Sequence, residues 1–226
     1  MLFKEKRRVL LTGASRGIGL AIQREFSSHG VEVVGPSRNE LDLLSPTSIT
    51  NFIGQSRELK VDILINNAGI NFPERIERMD LDRWSQALQV NATAPFLLSQ
   101  HFAKGMCERG WGRIVNLSSI FSLVTKEGRA VYSAAKSAVN GLTRTSAVEW
   151  GRQGVLVNAI CPGYIDTELT RQNNSESDLA KICEQIPLGR LAEANEIAKM
   201  VVFLSSEMNT YMTGQCVVVD GGFTIK

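Results

Sequence analysis

A short apolar run, Val9-Leu10-Leu11, passes without a break into Thr12-Gly13-Ala14-Ser15-Arg16-Gly17-Ile18-Gly19, and a helical pattern through Ile22, Phe26 and His29 follows. Strand, glycine turn, helix is the order a nucleotide phosphate needs. Glycines let the backbone turn tightly and approach a pyrophosphate, while the first N–H groups of the helix point at it. The spacing G-x-x-x-G-x-G departs from the common G-x-G-x-x-G, and the competing reading is an ordinary βα loop. The alternation then continues. Buried runs at Val31-Glu32-Val33-Val34, Val61–Ile65, Arg113–Leu117, Val155–Ile160 and Cys216–Val219 are separated by stretches of helical period, which predicts one doubly wound α/β domain over 1–226 with ligands beyond the carboxyl ends of its parallel strands.

One connection breaks the pattern. Only about six residues separate Val34 from Leu41-Asp42-Leu43-Leu44, whereas a parallel crossover needs a dozen or more. Leu41–Leu44 therefore reads as an extended segment or loop leading into a helix over Pro46–Glu58, capped by Ser45 with Pro46 at its first position. The helix after the second strand and the usual third strand are missing or reduced. The tip of the second strand offers Ser37 and Arg38, with no carboxylate until Glu40. An acidic residue there holds the 2′-hydroxyl of NAD and an arginine accepts the 2′-phosphate of NADP. With Arg16 in the glycine turn, two arginines favour NADP (NADPH) over NAD, unless both are merely solvated.

Further along, Asp80 caps a long helix through Trp84, Leu88 and Asn91 that Pro95 kinks before Cys107 or Glu108. Between Tyr164 and Arg190 the chain is polar, least core-like at Gln172–Asp178, and reads as a mobile lid of about 164–190 over a substrate rather than a passive loop. A final helix spans Glu193–Ser205.

Tyr132 and Lys136 lie four apart in a run of helical period, which stacks both side chains on one face. A free phenol titrates near ~10, and a nearby ammonium favours the phenolate, so Tyr132 can exchange a proton with an alcohol or ketone. Ser119, after the strand Arg113–Leu117, can hydrogen-bond the same substrate oxygen. The bland alternative is a tyrosine packed against the sheet with its hydroxyl satisfied.

The totals exclude other classes. With 25 basic and 23 acidic residues mixed along the chain there is no electrostatic footprint for nucleic acid or a membrane surface. The N-terminal region before the first glycine lacks a signal-length apolar segment, which predicts a cytoplasmic protein. Cys107, Cys161, Cys183 and Cys216 are scattered and read as free thiols, and neither they nor His29 and His101 have metal-ligand spacing. Two histidines leave a Ser-His-Asp hydrolase unsupported.

Taken together, Thr12-Gly13 to Gly17-Ile18-Gly19, Asn66-Asn67-Ala68-Gly69, Asn91, Ser119, Tyr132-x-x-x-Lys136 and Pro162-Gly163 resemble the short-chain dehydrogenase/reductase family over nearly the whole chain. The likeness is to its 3-oxoacyl-(acyl-carrier-protein) reductases. The resemblance implies a Rossmann-like fold and hydride transfer between a nicotinamide cofactor and a ketone or secondary alcohol, on a small or carrier-bound carbonyl substrate. It implies Tyr132 as general acid/base, Lys136 lowering its pKa and holding the nicotinamide ribose, Ser119 orienting the carbonyl, and Asn91 supporting a water that links Lys136 to solvent. It puts Gly13, Ser15, Arg16 and Ile18 at the phosphates and ribose, Arg38 at the 2′-phosphate, Asp42 and Leu43 at the adenine, Asn67 at the adenosine side, and Ile165 and Thr167 at the carboxamide. It also implies a homo-oligomer, tetramer or dimer, formed through the two long helices and the C-terminal strand. Ser122 departs from the family, which often has glycine there. A non-catalytic cofactor sensor would have lost Tyr132 or Lys136, and a sugar-nucleotide epimerase would need a larger C-terminal region. Reduction of a sugar or another small secondary alcohol stays open, as does an anionic substrate drawn by Lys126, Arg129 and Arg171.

Overall fold

The chain begins with β1 (Arg8–Leu11), α1 (Gly17–Ser28), β2 (Glu32–Val34), α2 (Pro46–Gln55) and β3 (Ile63–Asn66). The middle of the chain forms α3 (Leu81–Leu88), α4 (Ala94–Glu108), β4 (Gly112–Leu117), α5 (Ala130–Trp150) and β5 (Val155–Pro162). After β5 come β6 (Ile165–Asp166), α6 (Glu168–Gln172), α7 (Glu176–Glu184), β7 (Ala192–Glu193), α8 (Ala194–Ser205) and β8 (Cys216–Val219). These elements come from a computed structural model that describes residues 2–56, 58–172 and 174–225.

Six parallel strands form one sheet in the order β2-β1-β3-β4-β5-β8, with β6 and β7 as a separate parallel pair. The central strands β3 and β4 are buried along their whole length, as expected for a sheet covered on both faces. One face packs on Ile22 and Phe26 of α1 with Ile197 and Val201 of α8. The other packs on Leu98, Phe102 and Met106 of α4 with Ile49 of α2. Each such side chain contributes about 1.5–3 kcal/mol of burial, and the two layers close one domain.

The shortened connection after β2 is seen directly. β2 pairs only with β1 among the described residues, so the sheet ends where the family's third strand would follow. Ser45 caps α2 by accepting from Ser48 N at 3.1 Å, with Pro46 in its first turn. The helix stops at Gln55 rather than Glu58 because Ser56 turns the chain back onto Phe52 and Ile53 carbonyls; Arg57, inside the expected span, lies outside the described residues. Asp80 caps α3 through Asp82 N at 2.8 Å. Between α3 and α4 the helix widens into a π turn over Gln89–Thr93. Pro95, four residues beyond Asn91, has no N–H to give that carbonyl in an α-ladder, and the widened turn absorbs the lost link.

The polar segment expected as a lid carries two short helices, α6 and α7, which make up about half of it. A reciprocal cap between Ser175 and Asp178 starts α7, so its polar residues serve a solvent-exposed helix; Asn173 lies outside the described residues. The segment is tied down at its base, where Gly163 N donates to Val219 O at 3.0 Å and Leu188 N to Gly221 O at 3.2 Å.

Candidate functional site

The carboxyl ends of β1, β3, β4 and β5 meet along one edge of the sheet. At β1 the turn is built around Gly13, at φ +69°, whose added Cβ would press on Ala68. Gly19 has no room either, since a Cβ there would run into the Gly13 carbonyl oxygen. The Thr12 hydroxyl accepts from Asn67 N at 3.0 Å and Ala68 N at 3.1 Å, and the Asn67 amide returns two bonds to the Thr12 and Gly13 carbonyls, each 3.0 Å. Asn67 thus braces the glycine turn. Ser15 and Arg16 are exposed at the start of α1 and Ile18 is half-buried behind them. A helix N-terminus fronted by residues with no side chain in the way is a cradle for a pyrophosphate.

The tip of β2 lies beside this turn, because a Cβ on Gly35 would meet the Ala14 side chain at 2.7 Å. The Arg38 guanidinium is three-quarters exposed and 3.6 Å from Asp42. The Glu40 carboxylate folds back to accept from Ser37 N at 2.7 Å and Ser37 Oγ at 2.8 Å, bonds that hold it below the ordinary carboxylate range. Asp42 also accepts from Leu44 N at 3.1 Å. Leu43 is buried in the core and its carbonyl accepts from Gln89 Nε2 at 3.1 Å, so any adenine contact there falls to its backbone.

Ser119, Tyr132 and Lys136 converge beyond β4. Ser119 opens a short 3₁₀ turn, its hydroxyl accepting from Phe121 N at 3.2 Å. Its carbonyl accepts from Ser122 Oγ at 2.6 Å, and that hydroxyl in turn accepts from Asn140 Nδ2 at 2.8 Å. Ser122, visible in the sequence only as a departure, is the strut behind Ser119. The Lys136 ammonium is buried, donates to Leu117 O at 2.6 Å and sits 5.6 Å from the centroid of the Tyr132 ring. Burial pulls its pKa down to about 8, with Cys161 opposing.

The spacing argument has Lys136 depressing the Tyr132 phenol. In the structure burial dominates instead and raises the phenol above its ordinary value, while a hydrogen bond with Ser119 and the charge of Arg129 pull the other way. Desolvation acts against both charged forms at once.

Asn91 is buried in the π turn and clasps Ile70, donating to its carbonyl at 2.8 Å and accepting from its N–H at 3.2 Å. Gly69 lies between Asn91 and Lys136, since a Cβ on it would meet Asn91 Oδ1 at 2.7 Å and Lys136 Nζ at 3.6 Å. Ile165 is core, and Thr167 faces the glycine turn, its methyl within 3.7 Å of where a Gly17 Cβ would stand. Sequence reasoning missed an aromatic wall. Phe121 meets Tyr132 edge-on at 6.4 Å and Tyr164 at 6.2 Å, and Tyr164 meets Phe223 at 5.4 Å; isolated aromatics carry no periodicity to reveal it. Among the described residues no cluster of three His, Cys, Asp or Glu side chains forms a metal site, and no helix is long and apolar enough to cross a membrane.

A parallel sheet with an open phosphate cradle at β1 and a Ser-Tyr-Lys group two strands away defines a dinucleotide-dependent oxidoreductase. The family model described as Enoyl-(Acyl carrier protein) reductase matches residues 38–224. The 3-oxoacyl-(acyl-carrier-protein) reductase of Aquifex aeolicus is 38% identical over 94% of this chain and 95% of its own length. Gluconate 5-dehydrogenase of Gluconobacter oxydans is 35% identical over 97% and 95%. Among solved structures, a putative NAD(P)-dependent gluconate 5-dehydrogenase from Beutenbergia cavernae with bound NADP superposes with TM-score 0.91 at 33% identity, covering 100% of this chain and 99% of that one. A 4-hydroxyisoleucine dehydrogenase complexed with NADH gives 0.93 at 31%, covering 98% and 100%. The chain belongs to the short-chain dehydrogenase/reductase family, as an NAD(P)-dependent oxidoreductase.

Proposed function

We propose that this enzyme reduces a ketone of the 3-oxoacyl-thioester type with NADPH favoured over NADH. The observation that carries the reading is the convergence of Ser119, Tyr132 and buried Lys136 at the carboxyl end of β4. Gly13, Ser15, Arg16 and Ile18 would hold the phosphates and ribose, Asn67 the adenosine side, Asp42 and Leu43 the adenine, and Ile165 with Thr167 the carboxamide. Arg16 and Arg38 would clamp the 2′-phosphate. The bound nicotinamide supplies the hydride. Ser119 orients the carbonyl, Tyr132 gives its proton to the developing alkoxide, and Lys136 steadies the phenolate left behind while holding the nicotinamide ribose. Asn91 keeps a water in line to resupply the proton through Lys136. The neutral phenol is the resting acid for reduction, the form its raised pKa favours.

The lid over 164–190 closes on the substrate in this reading, and the protein acts in the cytoplasm as a homo-oligomer. Exposed Phe96 on α4 and Val148 on α5, with Tyr211 and Ile225 near the C-terminus, give such an assembly apolar surface to cover. A second reading, oxidation or reduction of a sugar acid or another small hydroxy acid, is favoured by the gluconate 5-dehydrogenase relatives and by a solved homologue in complex with NADP and tartrate.

Tyr132→Phe tests the chemistry: turnover should fall at least about a thousandfold while NADPH binding persists, and retained turnover would overturn the role. Side-by-side titration with NADPH and NADH, followed by nicotinamide fluorescence, tests the clamp. Tenfold tighter NADPH, about 1.4 kcal/mol, supports it, whereas equal affinity means the Glu40 carboxylate on Ser37 excludes the phosphate.

A further inference from the structure

The wall that carries Tyr132 also carries an unmatched cation. Arg129 is half-buried, with its guanidinium carbon 5.5 Å from the Phe121 ring centroid. Its backbone is held on both sides, by the Glu74 bridge with Gly128 O accepting from Glu74 N at 3.2 Å, and by Ser133 N donating to Arg129 O at 2.8 Å. Neighbouring arginines are spent: Arg75 on Glu77 and Glu127 at 2.9 and 2.7 Å, and Arg171 on both oxygens of Asp166 at 2.7 and 2.6 Å. Among the described residues no carboxylate lies within 4.0 Å of Arg129. Lys126 reinforces the positive field from the solvent side, 5.9 Å from the Phe121 centroid and 5.5 Å from that of Tyr164, with Asp178 of α7 feeling its charge.

A guanidinium fixed on an aromatic face without a counter-ion is a carboxylate site waiting for its ligand, since its planar fork matches two carboxylate oxygens. We infer that Arg129 binds a carboxylate carried by the substrate itself a few bonds from the reacting carbon, so that the preferred substrate is a short keto acid or hydroxy acid. A carrier-bound thioester would leave this cation unanswered, because its anionic phosphate lies at the far end of a long pantetheine arm. Arg171, a candidate from sequence, is excluded by its pairing with Asp166. The inference rests on the nicotinamide-dependent carbonyl-reductase chemistry proposed above and favours its second reading, a small keto or hydroxy acid, over the 3-oxoacyl thioester.

The test uses the full chain with NADPH and two probes sharing one ketone, acetoacetate and the neutral ethyl acetoacetate. Arg129→Gln should lower the acid-to-ester ratio of kcat/KM about 100-fold, mostly through KM for the acid, and Arg129→Lys should restore part of it. Loss shared equally by both probes reports only the arginine's field at Tyr132 and overturns the inference, as does a wild-type preference for the ester. A binding arm needs no turnover: malonate, and not malonamide, should raise the Tm of the NADPH-loaded wild type by several degrees and leave loaded Arg129→Gln unmoved. No malonate effect in the wild type overturns the inference. A malonate effect without turnover of any ketone upholds the carboxylate site and brings down the reductase reading instead.

Discussion

Lys136 is a charged side chain held inside the protein at a cost that can be measured as pH dependence. Its pKa drops from 10.5 to about 8 on burial, and at about 1.4 kcal/mol per decade the full difference is ~3 kcal/mol. Between those two pH values the unfolded chain keeps the proton that the folded protein has released, so folding stability rises with pH. Below about pH 8 both states are protonated and the penalty is constant. Lys136→Met removes the titration and leaves Leu117 O without its partner at 2.6 Å, an offset of about 1–3 kcal/mol that does not depend on pH. The Tyr132 phenol, raised above its ordinary value, stays neutral across the window and cancels. Urea denaturation of the cofactor-free wild type and Lys136→Met, from about pH 7 to 9.5, should therefore show the wild type gaining ~2 kcal/mol relative to the variant. A difference that stays flat, or that shrinks with rising pH, would refute the claim that desolvation governs this lysine.

The other predictions concern backbone and support. Gly19→Ala places a methyl against the Gly13 carbonyl and should destabilise the fold by about 2–4 kcal/mol and abolish cofactor binding, read by thermal melts and NADPH fluorescence. Ser122→Ala removes the bond to Ser119 O and strands the Asn140 amide; kcat should fall about tenfold while NADPH affinity holds, measured by steady-state kinetics and titration. A change in NADPH affinity alone would mean Ser122 supports the cofactor rather than Ser119.

Much of this was legible because apolar periodicity and turn chemistry are local. The glycine turn, the Ser45 and Asp80 caps, strand β8 and the missing crossover after β2 follow from short windows and a length argument. What eluded the sequence is what depends on distant packing. The helices of the polar segment went unmarked because α6 and α7 are short and only Leu179, Ile182 and Cys183 of α7 are half-buried, too brief a run to show a core period. The Tyr132–Lys136 spacing located the pair, yet the direction of the phenol's shift depends on how much water the fold excludes. Arg129 and Arg171 look alike in sequence, and only the position of Asp166 separates a neutralised arginine from an unmatched one.

Dropping a strand also moves the boundary of the sheet. With nothing outside it among the described residues, β2 becomes the border, and a border strand is where a second molecule can add by main-chain pairing and start a fibre. This border is poorly suited to that. It is three residues long and Pro36 follows just beyond it, so an incoming strand finds few free N–H groups. The abbreviated sheet therefore adds little risk of self-association through its exposed rim.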